Sequence, residues 1–553
     1  MNETLLVIAL AAAGFAPRIK SRVELSLAKH RSLSGHPRME RRLAALVPHY
    51  EYDEADFFRS DDAPDEVAAR RRAGFLRLAA LYRERYATGA GLSAEVVDSI
   101  SDLQFTDAYR VPFQYSRHVR RHLGGGAFMA SSAGVRLRDP DGNEFYDLAG
   151  SYGVNLFGYD FYKTCLARGG EQAHALGPVL GPYHPVVADN VARLKAISGL
   201  DEVSFHMSGT EAVMQAVRLA RYHTRRTHLV RFCGAYHGWW GDVQPGAGNP
   251  VPAHETYTLK DMDEDSLRVL RRRRDIACVL VNPLQALHPN SAAASDSTLI
   301  DSSRKARFDR EAYTAWLRRL REVCAGRNIV LIMDEVFLGF RIARGGAQEY
   351  FGVRADLVTY GKTLGGGLPI GVICGRKDLM KRFRDDRPAD ISFARGTFNS
   401  HPYVMTAMNQ FLRHLDEPAV RELYRGIDGV WNDRAARLNR RLCDEQLPLQ
   451  VANLSSVFTV LYTTPSRYNW MLQYYLRAEG IALSWVGTGR LIFSHNYTDP
   501  DFDDVTGRFA AAAKAMLHDG WWWSAPTLTN RSIRRRVLRE MFSHFFRRTV
   551  APR

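Results

Sequence analysis

Between about residues 190 and 400, short unbroken apolar runs alternate with stretches whose apolar positions recur every three or four residues. The runs are 202–207, 228–232, 277–282, 328–334, 357–360 and 370–374. A run apolar at every position is a strand buried on both faces, and its alternation with amphipathic helices predicts an α/β domain: a mostly parallel sheet flanked by helices. Residues 18–100 read instead as helices, for example 38–47 and 66–86, interrupted at Gly35 and Pro64. From Val135 short strands and turns take over, with 136–148 forming two strands around an Asp141-Gly142 turn. The segment 288–303, with five serines and three alanines, reads as an exposed loop. These changes divide the chain into a helical extension (1–105), a first piece of a small domain (106–175), a large domain (176–405), the rest of the small domain (406–523) and a tail (524–553).

Composition narrows the class. A hydrophobic share of 46% and a charged share of 24% are those of an ordinary folded protein. Six cysteines with no CxxC pair argue against a zinc site or a disulfide framework and point to a reducing cytoplasm. The apolar opening 5–17 is too short to span a bilayer and lacks the positive leader of a signal peptide. The net charge of +15 does not indicate a nucleic-acid partner, because residues 531–553, with eight arginines and one glutamate, carry seven of those charges. In that tail Ile533, Val537, Leu538, Met541, Phe542, Phe545 and Phe546 recur at near-helical spacing. Three partners fit such a helix: an anionic membrane, an acidic protein such as a carrier presenting an acyl substrate, or the body of the protein itself.

Three segments carry chemistry. Ser208-Gly209-Thr210-Glu211 follows a strand and opens a helix with apolar positions at 213, 216, 217 and 220. It reads either as a simple N-cap or as an anion site, in which free amides and a hydroxyl receive a phosphate monoester. Asp334-Glu335 ends the apolar run 329–333, at the carboxyl edge where open α/β sheets bind ligands. A carboxylate buried there requires a cationic partner, for which a protonated pyridine nitrogen would serve. Lys362 follows the strand 357–360 and precedes three glycines. Alone it reads equally as a solvated surface lysine or as an amine made nucleophilic by a lowered pKa.

The order of these blocks resembles the class III aminotransferases that use pyridoxal 5'-phosphate (PLP), and most of all the glutamate-1-semialdehyde 2,1-aminomutases. The blocks are Ser208-Gly209-Thr210-Glu211-Ala212, Tyr236-His237-Gly238, Asp334-Glu335-Val336 with Gly339-Phe340-Arg341, Gly361 to Gly371, and Gly396-Thr397-Phe398. The resemblance covers about 106–520 and implies a fold type I PLP-dependent transferase. It implies that Lys362 forms the Schiff base and shuttles the proton, and that Asp334 pairs with the pyridine nitrogen. Ser208, Gly209 and Thr210 would bind the phosphate, and Tyr236, followed by His237, would stack on the ring. Thr397 would reach the phosphate of a neighbouring subunit, so the enzyme would be a homodimer with shared sites.

The chain departs from the family where Asn282-Pro283-Leu284-Gln285 replaces Glu-Pro-Val-Gln or Glu-Pro-Val-Ala. Gln285 remains a candidate donor to the phenolic oxygen of the cofactor. For the substrate, Arg117 is the residue the resemblance offers to a carboxylate, although Arg110, Arg120 and Arg121 lie nearby; Tyr152 and Asn155 would line the pocket. The expected activity is transfer of an amino group from an amine or amino acid to an aldehyde or ketone. An intramolecular 2,1-aminomutase would use the same residues. A non-catalytic protein on the same fold is the remaining alternative, and the pairing of Lys362 with Asp334 argues against it.

Overall fold

The computed structural model describes residues 17–31, 33–244, 246–251, 254–290, 302–483 and 490–550. Most of the apolar opening and most of the 288–303 loop lie outside these residues.

At the centre is a seven-stranded sheet. Its strands are β1 (Glu202–His206), β2 (His228–Phe232), β3 (Thr256–Leu259), β4 (Ile276–Val281), β5 (Val330–Asp334), β6 (Leu357–Gly361) and β7 (Gly371–Gly375). Their spatial order is β1-β7-β6-β5-β4-β2-β3. All neighbours run parallel except β7, which is antiparallel to both β1 and β6. Every residue of β4 to β7 is buried, as their unbroken apolar runs require. The edge strand β3 has no such run: Thr-Tyr-Thr-Leu alternates and follows a stretch rich in glycine and proline, so its pattern is too short to stand out. The turn at Asp141-Gly142 is present, with Gly142 at φ 86° between the antiparallel strands Arg136–Arg138 and Glu144–Asp147.

The helical extension does not form a core of its own. Phe57, Phe58, Phe75, Tyr82 and Tyr86 pack into one apolar cluster with Tyr468, Trp470, Tyr474, Trp521 and Trp522 from near the other end of the chain. Polar bonds fix the seam: Arg71 donates to the carbonyls of Phe58 and Gly520, and the Tyr82 hydroxyl to the carbonyl of Tyr474. The Trp521 and Trp522 indoles donate to Tyr475 and Asn469.

Arg467 ties three segments together. Its guanidinium meets Asp61 at 2.8 Å, the Tyr52 hydroxyl at 3.0 Å and Glu540 of the tail at 2.9 Å, with Arg467 and Asp61 both deeply buried. Removing one member leaves the other buried and unpaired, which costs about 3–5 kcal/mol. Arg467→Met is therefore expected to lower stability by about that amount. Limited proteolysis should then cut first in 50–62 and 530–546, before the central sheet.

Candidate active site

The carboxyl edge of the sheet gathers the expected residues. β5 ends on Asp334, β6 runs into Lys362, and β1 leads through Met207 to the helix Gly209–Thr224. After β2 comes the turn bearing Tyr236 and His237, and after β4 the tight turn Pro283–Leu287 bearing Gln285.

Asp334 is held from two sides. Its Oδ2 lies 2.7 Å from His237 Nδ1, and its Oδ1 accepts from the Val336 amide at 3.2 Å and the Thr359 hydroxyl at 3.3 Å. An ionised carboxylate only accepts, so this contact sets His237 as the Nδ1–H form and leaves Oδ2 able to accept once more. His237 is thus turned inward beneath the carboxylate, while Tyr236 beside it is 57% exposed. Asn282 fixes that Tyr236 turn: its Nδ2 donates to the Tyr236 carbonyl at 3.0 Å and its Oδ1 accepts from the Leu284 amide. A glutamate at this position could not donate to a carbonyl, so the departure at 282 creates a backbone clamp rather than merely deleting a charge. Gln285 donates to the Cys233 carbonyl at 2.5 Å and keeps its Oε1 buried without a partner among the described residues.

Ser208 caps its helix, accepting from Glu211 N at 3.2 Å, while the Glu211 carboxylate accepts from Met207 N. Thr210 lies against Gly238, where a Cβ would come within 2.5 Å of its hydroxyl at φ 89°. Only glycine lets the 236–238 turn approach the helix start so closely.

Lys362 has φ 47°, a left-handed conformation that is costly for a residue with a Cβ. It is half-buried, and burial lowers its pKa, a shift opposed by the charge of Asp334 and reinforced by that of Arg341. Its aliphatic stem runs close to Gly153, where a Cβ would stand 3.4 Å from Lys362 Cδ and 2.7 Å from the Phe337 ring. No acid forms an ion pair with its ammonium among the described residues. An amine depressed by burial, beside a pinned carboxylate and a serine-capped helix start closely approached by Gly238, fits PLP. Ser208, Gly209 and Thr210 would hold its phosphate, Asp334 its ring nitrogen and Lys362 its aldehyde.

The other expected residues lie as follows. Arg117 lies on the exposed side of the helix Ser116–His122, where it pairs with Glu51 of the extension at 3.3 Å. Asn155 is buried, its side-chain oxygen accepting from the Gly158 amide, so it shapes the 150–158 loop. Tyr152, next to Gly153, is 51% exposed, and Thr397 lies in an exposed segment with Phe393 and Phe398.

Two arginines gave no signal of their own in the sequence. Arg341, from the Gly-Phe-Arg block, is fully buried and donates to Ser456 Oγ and to the carbonyls of Phe493, Gly153 and Asn155. Arg490 opens the strand Arg490–Ile492, and its Nη2 lies 3.3 Å from His288 Nε2, just beyond the Gln285 turn. Burial and the neighbouring Arg304 hold Arg490 down to about 10, and His288 Nδ1 is buried without a partner among the described residues. Ile492 packs against Gly150, two residues before Tyr152.

An anion cradle, a carboxylate and an amine along one edge of such a sheet define a fold type I PLP-dependent enzyme. The chain belongs to the class-III aminotransferase family, which it matches over 118–242 and 309–512. The unmatched stretch between these blocks contains Asn282 and His288. Among relatives, it is 31% identical over 428 residues to the glutamate-1-semialdehyde 2,1-aminomutase of Nitratidesulfovibrio vulgaris (strain DP4), covering 74% of this chain and 96% of that one. It is 33% identical over 368 residues to the enzyme of that name from Methanothermobacter thermautotrophicus, covering 64% and 81%. A transaminase solved with PLP bound superposes with a TM-score of 0.64 at 26% identity over 79% of this chain and 99% of that one. The glutamate-1-semialdehyde aminomutase of Pseudomonas aeruginosa PAO1 shares the fold, with a TM-score of 0.65 at 19% identity, covering 81% and 99%. The protein is a PLP-dependent enzyme of the aminotransferase class.

Glu335, behind Asp334, provides a stability test. It is buried, accepts from the amides of Ala347 at 2.5 Å and Gln348 at 3.3 Å, and is pushed by burial from 4.5 up to about 8. The folded protein keeps this proton where the unfolded chain has released it, so stability falls as pH rises through that window. The slope from this group approaches about 1.4 kcal/mol per pH unit. Urea midpoints of Glu335→Gln across the same range should fall less steeply than those of the parent.

Proposed function

We propose that the enzyme moves an amino group between a small-molecule amine donor and an aldehyde or keto acceptor, with Lys362 as the catalytic amine. The observation that carries this reading is the pairing of a half-buried, pKa-depressed Lys362 with Asp334 on adjoining strand ends. Bound there, PLP supplies an aldehyde for the donor amine and a ring that accepts electron density from the substrate carbon. The amides of Gly209 and Thr210, with Ser208, would receive the phosphate dianion at the positive end of their helix. The Asp334 carboxylate, oriented by His237, Val336 and Thr359, would hold a proton on the ring nitrogen. Tyr236, positioned by Asn282, would stack on the ring, and Gln285 stands behind the same turn. Lys362 Nζ, its basicity reduced by burial, would take the proton from the substrate carbon and deliver it to the carbon that was the cofactor's aldehyde.

The exposed segment around Thr397, with Phe393 and Phe398, supports a homodimer in which each subunit completes the other's site. The cysteines all occur as free thiols, and five of the six are buried, which supports a cytoplasmic setting. The names of the relatives make an intramolecular 2,1-aminomutase the second reading. Conversion of a single amino aldehyde with no added donor would favour it, whereas strict dependence on a separate amine would leave transamination.

Two outcomes test the assignments. Lys362→Ala should slow conversion of the bound cofactor to its amine form on mixing with a panel of amines, and transfer with it, by at least about 10³-fold; unchanged transfer would sink the role of Lys362. Arg490 supports a substrate bearing an anionic group, since it stands unpaired by any acid among the described residues, on the strand that packs against the Tyr152 loop. Arg490→Met should raise KM for carboxylate-bearing substrates by about 10- to 100-fold. Uncharged amines of similar length should be little affected.

A further inference from the structure

The tail helix Asn530–Val550 has two different faces. Inward, Ile533 and Val537 are buried, with Met541 packed beside them, and His544 stacks on Tyr50 at 4.4 Å. Glu540 joins Arg467 and Tyr52, and Arg536 pairs with Asp62 at 2.6 Å. These contacts fix the helix on the body and hence the direction in which its other face points.

That outer face carries a second apolar stripe. Leu538, Phe542 and Phe546, four residues apart, are 52%, 61% and 62% exposed. Between and beside them stand the exposed Arg531, Arg534, Arg535 and Arg539. Among the described residues, no acid pairs with Arg531, Arg535 or Arg539. The single acidic residue of the helix, Glu540, is turned inward and consumed by Arg467.

We propose that this face is a docking surface for an anionic lipid bilayer, on which the enzyme lies peripherally. Apolar side chains interleaved with arginines match the interface of a charged membrane: the rings and leucine enter the boundary between headgroups and acyl chains, and the guanidiniums reach the phosphates. The size of the face favours a membrane over a protein. A helix of 21 residues is about 32 Å long and about 10 Å wide, a footprint of about 300 Å². A stable protein interface needs about 800 Å² on each side. No helix among the described residues is long and apolar enough to cross a membrane, so the contact lies on the surface.

The test uses the full-length, PLP-loaded enzyme sedimented with vesicles of phosphatidylcholine alone or mixed with phosphatidylglycerol. Binding to the mixed vesicles, little to the neutral ones, and weakening with salt are expected. Arg535→Glu with Arg539→Glu should reduce partitioning at least 25-fold, about fivefold per arginine removed, with more from the added negative charges. Leu538→Ser with Phe542→Ser should reduce it at least tenfold. Because the helix is already docked, far-ultraviolet circular dichroism should not gain helicity on binding. Amine transfer in solution should be unchanged in both double variants, which also shows that they fold. Equal binding to both vesicle types, or binding indifferent to both pairs of changes, would overturn the proposal. So would a change in oligomeric mass on Phe542→Ser, which would make the face a subunit contact, or retention of an acidic carrier protein by this face with no vesicle binding.

Discussion

The buried guanidinium of Arg341 holds the catalytic edge to the rest of the molecule. It comes from the turn after Asp334, and its bonds reach Ser456 and Phe493 on one side and the Gly153 and Asn155 carbonyls on the other. His495 adds a contact to the Arg341 carbonyl at 3.0 Å. No carboxylate forms an ion pair with this cation among the described residues; oxygen dipoles satisfy its two Nη groups while Nε stays buried without a partner there, and burial brings it down to about 10. The seven-stranded sheet, the loop over Lys362 and the three-stranded sheet of Leu449–Leu454, Val457–Tyr462 and Arg490–Ile492 thus share one charge that none of them can release to water.

This clamp accounts for the backbone around it. Ser151, Tyr152, Phe340 and Lys362 all sit at positive φ, each at a cost of order 1 kcal/mol or more. Such conformations persist only where their surroundings leave no alternative. Arg341 restrains both the loop that follows Tyr152 and the turn that includes Phe340, so the amine of Lys362 meets a wall of fixed shape. That fixed wall and the low polarity around it depress the same amine, linking the packing of the three-stranded sheet to the chemistry at the edge of the seven-stranded one.

How much of this was legible in the sequence depended on whether the signal was local. Strands β4 to β7 announced themselves because burial on both faces demands unbroken apolar runs. Lys362, Asp334 and Ser208 were legible because strand ends and helix starts are fixed by chain order. Distances across the fold were not. The resemblance offered Arg117 to a carboxylate, and no local pattern announced the Glu51 that pairs with it in the fold. Arg490 and His288 lie some two hundred residues apart in the chain and meet only in the folded protein. Asn282 read as a loss, and its gain appeared only with the Tyr236 carbonyl in place.

The shared core of the two chain ends has a kinetic consequence. Arg71 bonds to a residue 449 positions later and Tyr82 to one 392 positions later, so the helices of the extension lack these partners until nearly the whole chain exists. Phe57, Phe58 and Phe75 can pack on one another and on Tyr115 early, but their faces toward Trp470 and Trp521 stay uncovered through the synthesis of the entire sheet. The nascent extension is then the segment most in need of a chaperone. A chain trimmed to the family's usual boundaries would leave Trp470 and Trp521 uncovered.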